Sequence, residues 1–115
     1  MYKVLICGSR FYTDYEKILQ YVRSLKDAVI IAGGARGADT LAVKAAKACG
    51  LLFREYPAQW EKYGRKAGPI RNQTMLDMEK PHLVAAFHED VENSKGTKDM
   101  VSRAKINRIP VTIFK

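Results

Sequence analysis

The sequence predicts a three-layer α/β fold around a five-stranded parallel sheet, and three observations predict it. Short apolar, β-branched runs recur along the chain. Each is followed by a stretch whose apolar residues repeat at helical spacing, giving the order β-α-β-α-β-α-β-α-β. Glycines, hydroxyls and arginines collect just beyond the strands, at the starts of helices, which is where open parallel sheets hold ligands. A chain of 115 residues can bury one core and has no room for a second, so residues 1–115 are read as one domain.

Taken in order, Tyr2 to Cys7 is apolar beyond Lys3 and stops at Gly8, which suits a central strand covered on both faces. Thr13-Asp14-Tyr15-Glu16 has capping-box spacing, and Tyr15, Ile18, Leu19, Val22 and Leu25 trace one helical face. Ala28 to Ala32 is the second strand. A second helix follows with Leu41, Ala42, Ala45, Ala46 and Cys49 inward and Gly50 as its stop. Leu51 to Tyr56 reads as a third strand broken by Pro57. From Pro57 to Gly68 no periodicity is visible, and Trp60, Lys62, Tyr63, Arg65 and Lys66 interleave in what reads as a mobile loop or lid. Pro69 opens a third helix over Ile70 to Glu79, closed by Pro81, because a first-turn proline lacks only an N–H that would have no partner. His82 to Phe87 is the fourth strand. A polar turn, His88 to Asn93, leads to a fourth helix with Met100, Val101 and Ala104 inward, and Pro110 to Phe114 is the last strand.

The candidate site is assembled from four loops. Gly8-Ser9-Arg10 follows the first strand, and Gly33-Gly34-Ala35-Arg36-Gly37 with Asp39 follows the second. Ala67-Gly68-Pro69-Ile70-Arg71-Asn72, with Arg71 and Asn72 as the candidate ligand-binding residues, leads into the third helix, and Ser94-Lys95-Gly96-Thr97 into the fourth. Glycines let a ligand approach the main chain, helix N-termini carry unpaired N–H groups and partial positive charge, and arginine forks match phosphates. Each hydroxyl has a plainer role as a helix cap, Asp39 as an offset to a helix dipole, and the glycines as turn formers. His88 and His82 are read as surface and structural residues, and Trp60 and Tyr63 as base-stacking, dimer-contact or packing residues. Neither GxGxxG nor GxxxxGK[ST] occurs.

Composition sets the partner class. A net charge of +8 favours anionic partners, whether nucleotide, nucleic acid or acidic protein. No run reaches the roughly 18 apolar residues that a membrane span requires, and Met1-Tyr2-Lys3 leads into a strand rather than a signal peptide, so a cytoplasmic location is expected. Cys7 and Cys49 lack metal-ligand spacing and are read as small core residues, with no metal and no cofactor expected.

GSR, GGARGAD-x-LA, PA-x-W, AGPIRN-x-x-M and SKGT-x-DM, in this order over nearly the whole chain, resemble the YspA-related branch of the SLOG superfamily. The resemblance implies a Rossmann-like fold and a pocket for nucleotides or nucleotide-derived metabolites such as ADP-ribose-type molecules. Members of the wider superfamily include the lonely-guy phosphoribohydrolases and the DNA-processing protein A group. The expected function is therefore nucleotide or nucleotide-sugar binding, as a sensor or sequestering protein. Alternatives are a phosphoribohydrolase-like N-glycoside hydrolase and a single-stranded nucleic-acid binder. A homo-oligomer is compatible with either.

Catalysis turns on departures from the hydrolase pattern GGxGTxxE. Arg71 and Met75 keep the arginine and methionine of the upstream motif and Gly96-Thr97 the turn, but Met100 occupies the glutamate position. A thioether neither gives nor takes a proton. Asp99 lies one residue away, a rotation of about 100° on a helix, and Glu89 and Asp90 are the other carboxylates near the crevice. Arg71, Asp99 and Glu89 are thus the weak catalytic candidates, and binding without hydrolysis is the expectation.

Overall fold

Side-chain alternation along the central strands decides the layers. The computed structural model describes residues 1–115. Along β1 (Tyr2–Gly8), Val4 and Ile6 face one helical layer while Leu5 and Cys7 face the other. β2 (Ala28–Ala32) and β4 (Leu83–Phe87) repeat the pattern, with Ile30, Ala85 and Phe87 on the first face and Val29, Ile31, Val84 and Ala86 on the second. Both faces are apolar, which is why these strands read as continuous apolar runs. β3 (Leu52–Glu55) and β5 (Val111–Phe114) are the edges of one all-parallel sheet ordered β3-β2-β1-β4-β5.

Two helices, α1 (Tyr15–Arg23) and α2 (Ala38–Ala48), cover the first face through Ile18, Leu19, Val22, Ala42, Ala45 and Ala46. The second face is covered by α4 (Ala67–Glu79) and α5 (Lys95–Ile106) through Met75, Leu76, Met100, Val101 and Ala104. The expected five-stranded parallel α/β fold is therefore present. No helix is long and apolar enough to cross a membrane. The strand order reverses between β1 and β4, and the carboxyl ends of strands at such a reversal are where open parallel sheets take ligands.

Three local expectations change. The α1 N-cap is Asp14, whose side chain accepts from the Lys17 N–H, one residue later than Thr13. Helix α4 starts at Ala67 rather than Ile70, with Pro69 still inside the first turn, where its missing N–H costs nothing. The segment read as an aperiodic loop holds a helical turn, α3 (Trp60–Tyr63), and a 3₁₀ turn over Gly64–Lys66. One turn of helix contains no repeat, so periodicity cannot reveal it.

A buried carboxylate ties the far end of α4 to the sheet. Glu79 accepts from Arg54 Nε and Nη2, both at 2.8 Å, and from the Tyr56 hydroxyl, with Lys3 Nζ at 3.4 Å. The bidentate Arg54 fork is the main reason its carboxyl is held down at about 2. Because the folded value lies below the ordinary one, this stabilisation is complete above pH 4.5 and disappears as pH falls toward 2. Arg54 is partly exposed and can regain water, so Glu79→Gln should cost about 2 kcal/mol at neutral pH rather than the larger penalty of a fully buried pair. Urea denaturation at pH 7 and at the lowest pH where the protein folds checks this: the variant's deficit should shrink with acid.

Candidate functional site

The four loops meet through direct contacts, each touching the next. At the end of β1, the Ser9 N–H donates to the Phe87 carbonyl of β4 at 3.0 Å, and the Ser9 carbonyl accepts from Ala38 N–H, the first residue of α2, at 3.0 Å. Both crossings need glycine. A Cβ on Gly8 would stand 2.1 Å from the Phe87 oxygen and 2.8 Å from the Ala38 Cβ. One on Gly37, at φ 72°, would stand 2.3 Å from the Ser9 oxygen. The loop after β2 is joined to α4 by Arg71, whose Nη1 donates to the Gly33 and Tyr56 carbonyls. Finally, α4 is joined to α5 by Asn72, whose Nδ2 donates to Asp99 Oδ2 at 2.9 Å and to the Gly96 carbonyl at 3.4 Å.

Inside this ring of loops sits a carboxyl. Asp39 is 6% exposed and accepts the Ala35 N–H at 3.1 Å, with the Gly33 amide and Arg71 also favouring its charge. Burial outweighs them and pushes its pKa up to about 6. The glycine turn is therefore wrapped around the protein's own anion rather than standing empty for a ligand, and Asp39 is more than an offset to the α2 dipole. Arg71 lies beneath the turn as a strut: a Cβ on Gly33 would stand 2.4 Å from its Nη1. Cys7, at the end of β1, is buried next to the pair, and burial raises its thiol further than Asp39 does. Cys7 and Cys49 are free thiols.

The hydroxyls serve the backbone first. Ser94 caps α5 by accepting the Thr97 N–H at 3.2 Å, and Ser9 Oγ accepts the Phe11 N–H at 3.0 Å. Thr97 is buried, while Lys95 and Gly96 are exposed at the start of α5. Met100 lies in the core, 1% exposed. Asp99 accepts from Asn72 of α4 and, one turn along its own helix, from Arg103 Nε, both at 2.9 Å. Glu89 is exposed in the loop after β4; burial chiefly raises the Tyr12 phenol, with Asp14 and then Glu89 adding to it. His88 Nδ1 accepts the Asp90 N–H, and His82 Nδ1 accepts the Lys3 N–H while its ring stacks on Tyr2.

Arg10 and Arg36 are exposed on the first two loops, with Phe11 79% exposed beside Arg10. Two open clefts, of about 490 and 530 Å³, lie along α4 and α5. The first reaches Ser94, Lys95 and Asp99; the second runs past Lys66, Gln73 and Arg103. Neither of these two clefts includes the Gly33–Gly37 turn. Sequence reasoning missed three features: the exposed Phe11, the seating of Pro57 over Gly34, where a Cβ would stand 3.4 Å from the proline, and the inward duty of Arg71. The arginine's neighbour Asn72, so close to a glycine-proline start, was the available hint of a helix-to-loop tether.

The Asp39 carboxyl gives a testable pH signature. Its folded value of about 6 exceeds the ordinary 3.8, so the folded state keeps this proton longer than the unfolded one. The resulting stabilisation is complete below 3.8 and is lost as pH rises through about 6. An amide at this position would mimic the protonated acid and still accept the Ala35 N–H. Asp39→Asn should therefore match the native protein near pH 4 and exceed it by about 2 kcal/mol at pH 7. Melting temperatures across that range test it; parallel curves for the two proteins would contradict it.

Comparison with known proteins agrees with this architecture. The structure of DNA processing protein A (DprA) from Streptococcus pneumoniae superimposes with a TM-score of 0.77 over 98% of this chain, at 19% identity. This chain spans 50% of that one, and the likeness is one of fold. The Gene 61 protein of Mycobacterium phage D29 is 31% identical over 99% of this chain and 97% of its own length. The model of the YspA, cpYpsA-related SLOG family (YAcAr) matches residues 2–63, which carry the loops after β1 and β2 and end within α3. With that match over more than half its length, and a relative alike from end to end, the chain belongs to the YspA, cpYpsA-related SLOG family.

Proposed function

We propose that the protein binds a nucleotide or nucleotide-derived metabolite, of the nucleoside-phosphate or ADP-ribose class, at the carboxyl edge of its sheet. One observation carries this reading: four loops from distant parts of the chain are locked together beside the strand-order reversal, and Arg10, Arg36 and Lys95 are exposed around them. In this reading phosphate lies against Ser9-Arg10, Arg36 and the start of α5, including Gly96 and Thr97. Asp39, Arg71 and Asn72 hold the loops in register. The Asp39 charge keeps phosphate outside the turn, on the Arg36 side. Sensing or sequestration fits better than hydrolysis, because Met100 is a core residue and the Asp99 carboxylate is engaged by Asn72 and Arg103.

A second reading, single-stranded nucleic-acid binding, draws on the +8 charge and on exposed Trp60, Lys62, Arg65 and Lys66. A strand binder loses affinity steeply with salt, with a log–log slope of about −0.7 for each neutralised phosphate. A pocket holding one nucleotide gives a shallow slope. Calorimetry of the purified protein against nucleoside monophosphates, ADP-ribose and a short oligonucleotide separates the two, and micromolar or tighter binding of a nucleotide is expected.

Two variants refine the test. Arg36→Ala should weaken nucleotide binding by about 1.5 to 3 kcal/mol with no change in melting temperature, since its side chain is exposed. Arg71→Ala should lower binding and melting temperature together. Incubation with nucleoside monophosphates and ADP-ribose should release no free base; robust turnover that vanishes in Arg71→Ala would establish a hydrolase instead.

A further inference from the structure

We propose that the indole of Trp60 is the platform on which the base of the ligand stacks. The proposal rests on the nucleotide reading above and adds which part of the ligand is recognised, and how. Trp60 is 59% exposed, and α3, the short turn it opens, buries none of its residues. The turn therefore contributes nothing to either core layer, yet its indole has a defined seat. A Cβ on Gly68, in the first turn of α4, would lie 3.4 Å from Trp60 Cη2, so the edge of the ring rests on a helix surface that glycine leaves bare.

The indole is also tied to the candidate site. Pro57 lies over Gly34, where a Cβ would stand 3.4 Å from the proline Cα, and Arg71 joins the Tyr56 and Gly33 carbonyls. Trp60 follows Pro57 by three residues, so its Cα stays within about 11 Å of a residue that touches the glycine turn. Lys62, Arg65 and Lys66 are exposed next to it and favour an anionic ligand. An indole face attracts any base through its π surface, and overlap rather than an edge pattern sets the strength. The platform accordingly favours purine over pyrimidine and contributes nothing to a base-free sugar phosphate.

Trp60 is the single tryptophan of the chain, so intrinsic fluorescence reports on it alone. AMP should quench that fluorescence on binding, whereas ribose 5-phosphate should bind more weakly and leave it unchanged. Calorimetry should show Trp60→Ala weakening AMP by about tenfold and Trp60→Phe by much less, with ribose 5-phosphate affinity the same in all three proteins. AMP binding with no quenching and full affinity in Trp60→Ala would overturn the platform while leaving the nucleotide reading intact. Failure of AMP to bind in calorimetry would overturn both.

Discussion

The molecule depends on how closely its backbone approaches itself at the carboxyl end of β1. Gly8 passes the Phe87 carbonyl and the Ala38 methyl at distances that leave no room for a side chain, and Gly37 passes the Ser9 carbonyl in the same way. Those two approaches bring the ends of β1 and β4 and the start of α2 into one backbone junction. Elsewhere the sheet is held by interchangeable apolar packing, which tolerates volume-conserving exchange. Here only hydrogen serves, and the loops after β1 and β2 are set against each other by it.

Helix α4 carries the consequences across the protein. Near its start, Arg71 and Asn72 hold the glycine turn and α5; at its end, Glu79 gathers Arg54, Tyr56 and Lys3. The two buried carboxyls, Glu79 and Asp39, are shifted in opposite directions for a simple reason. Glu79 receives a bidentate guanidinium and a phenol, whereas Asp39 is enclosed with fewer donors than its burial demands. The first carboxylate secures the fold, and the second shapes the electrostatics of the loops.

This arrangement divides labour between inside and outside. Asp39, Arg71 and Asn72, which point inward, are spent on holding loops together, and Ser94 on capping α5. The cations Arg10, Arg36 and Lys95 are exposed at the same edge of the sheet. The exposed cations are thus carried on a scaffold whose folding does not need them.

The sequence by itself determined the layered α/β architecture. Apolar runs alternating with helical repeats of Ile18, Leu19 and Val22, or of Met100, Val101 and Ala104, have few physical solutions other than a parallel sheet covered on both faces. It also determined which loops carry glycine, hydroxyl and arginine, because strand ends and helix starts are visible in local pattern. Tertiary structure alone decided what those residues face. Arg71 lies 38 positions from Gly33 and Asn72 lies 27 from Asp99, so no local spacing announces that they are struts. Burial of Asp39 likewise arises from elements remote in sequence, as does the seat of Trp60 on Gly68. Local pattern fixes which groups stand at the carboxyl edge of the sheet; long-range packing decides which of them are turned inward and which stay exposed.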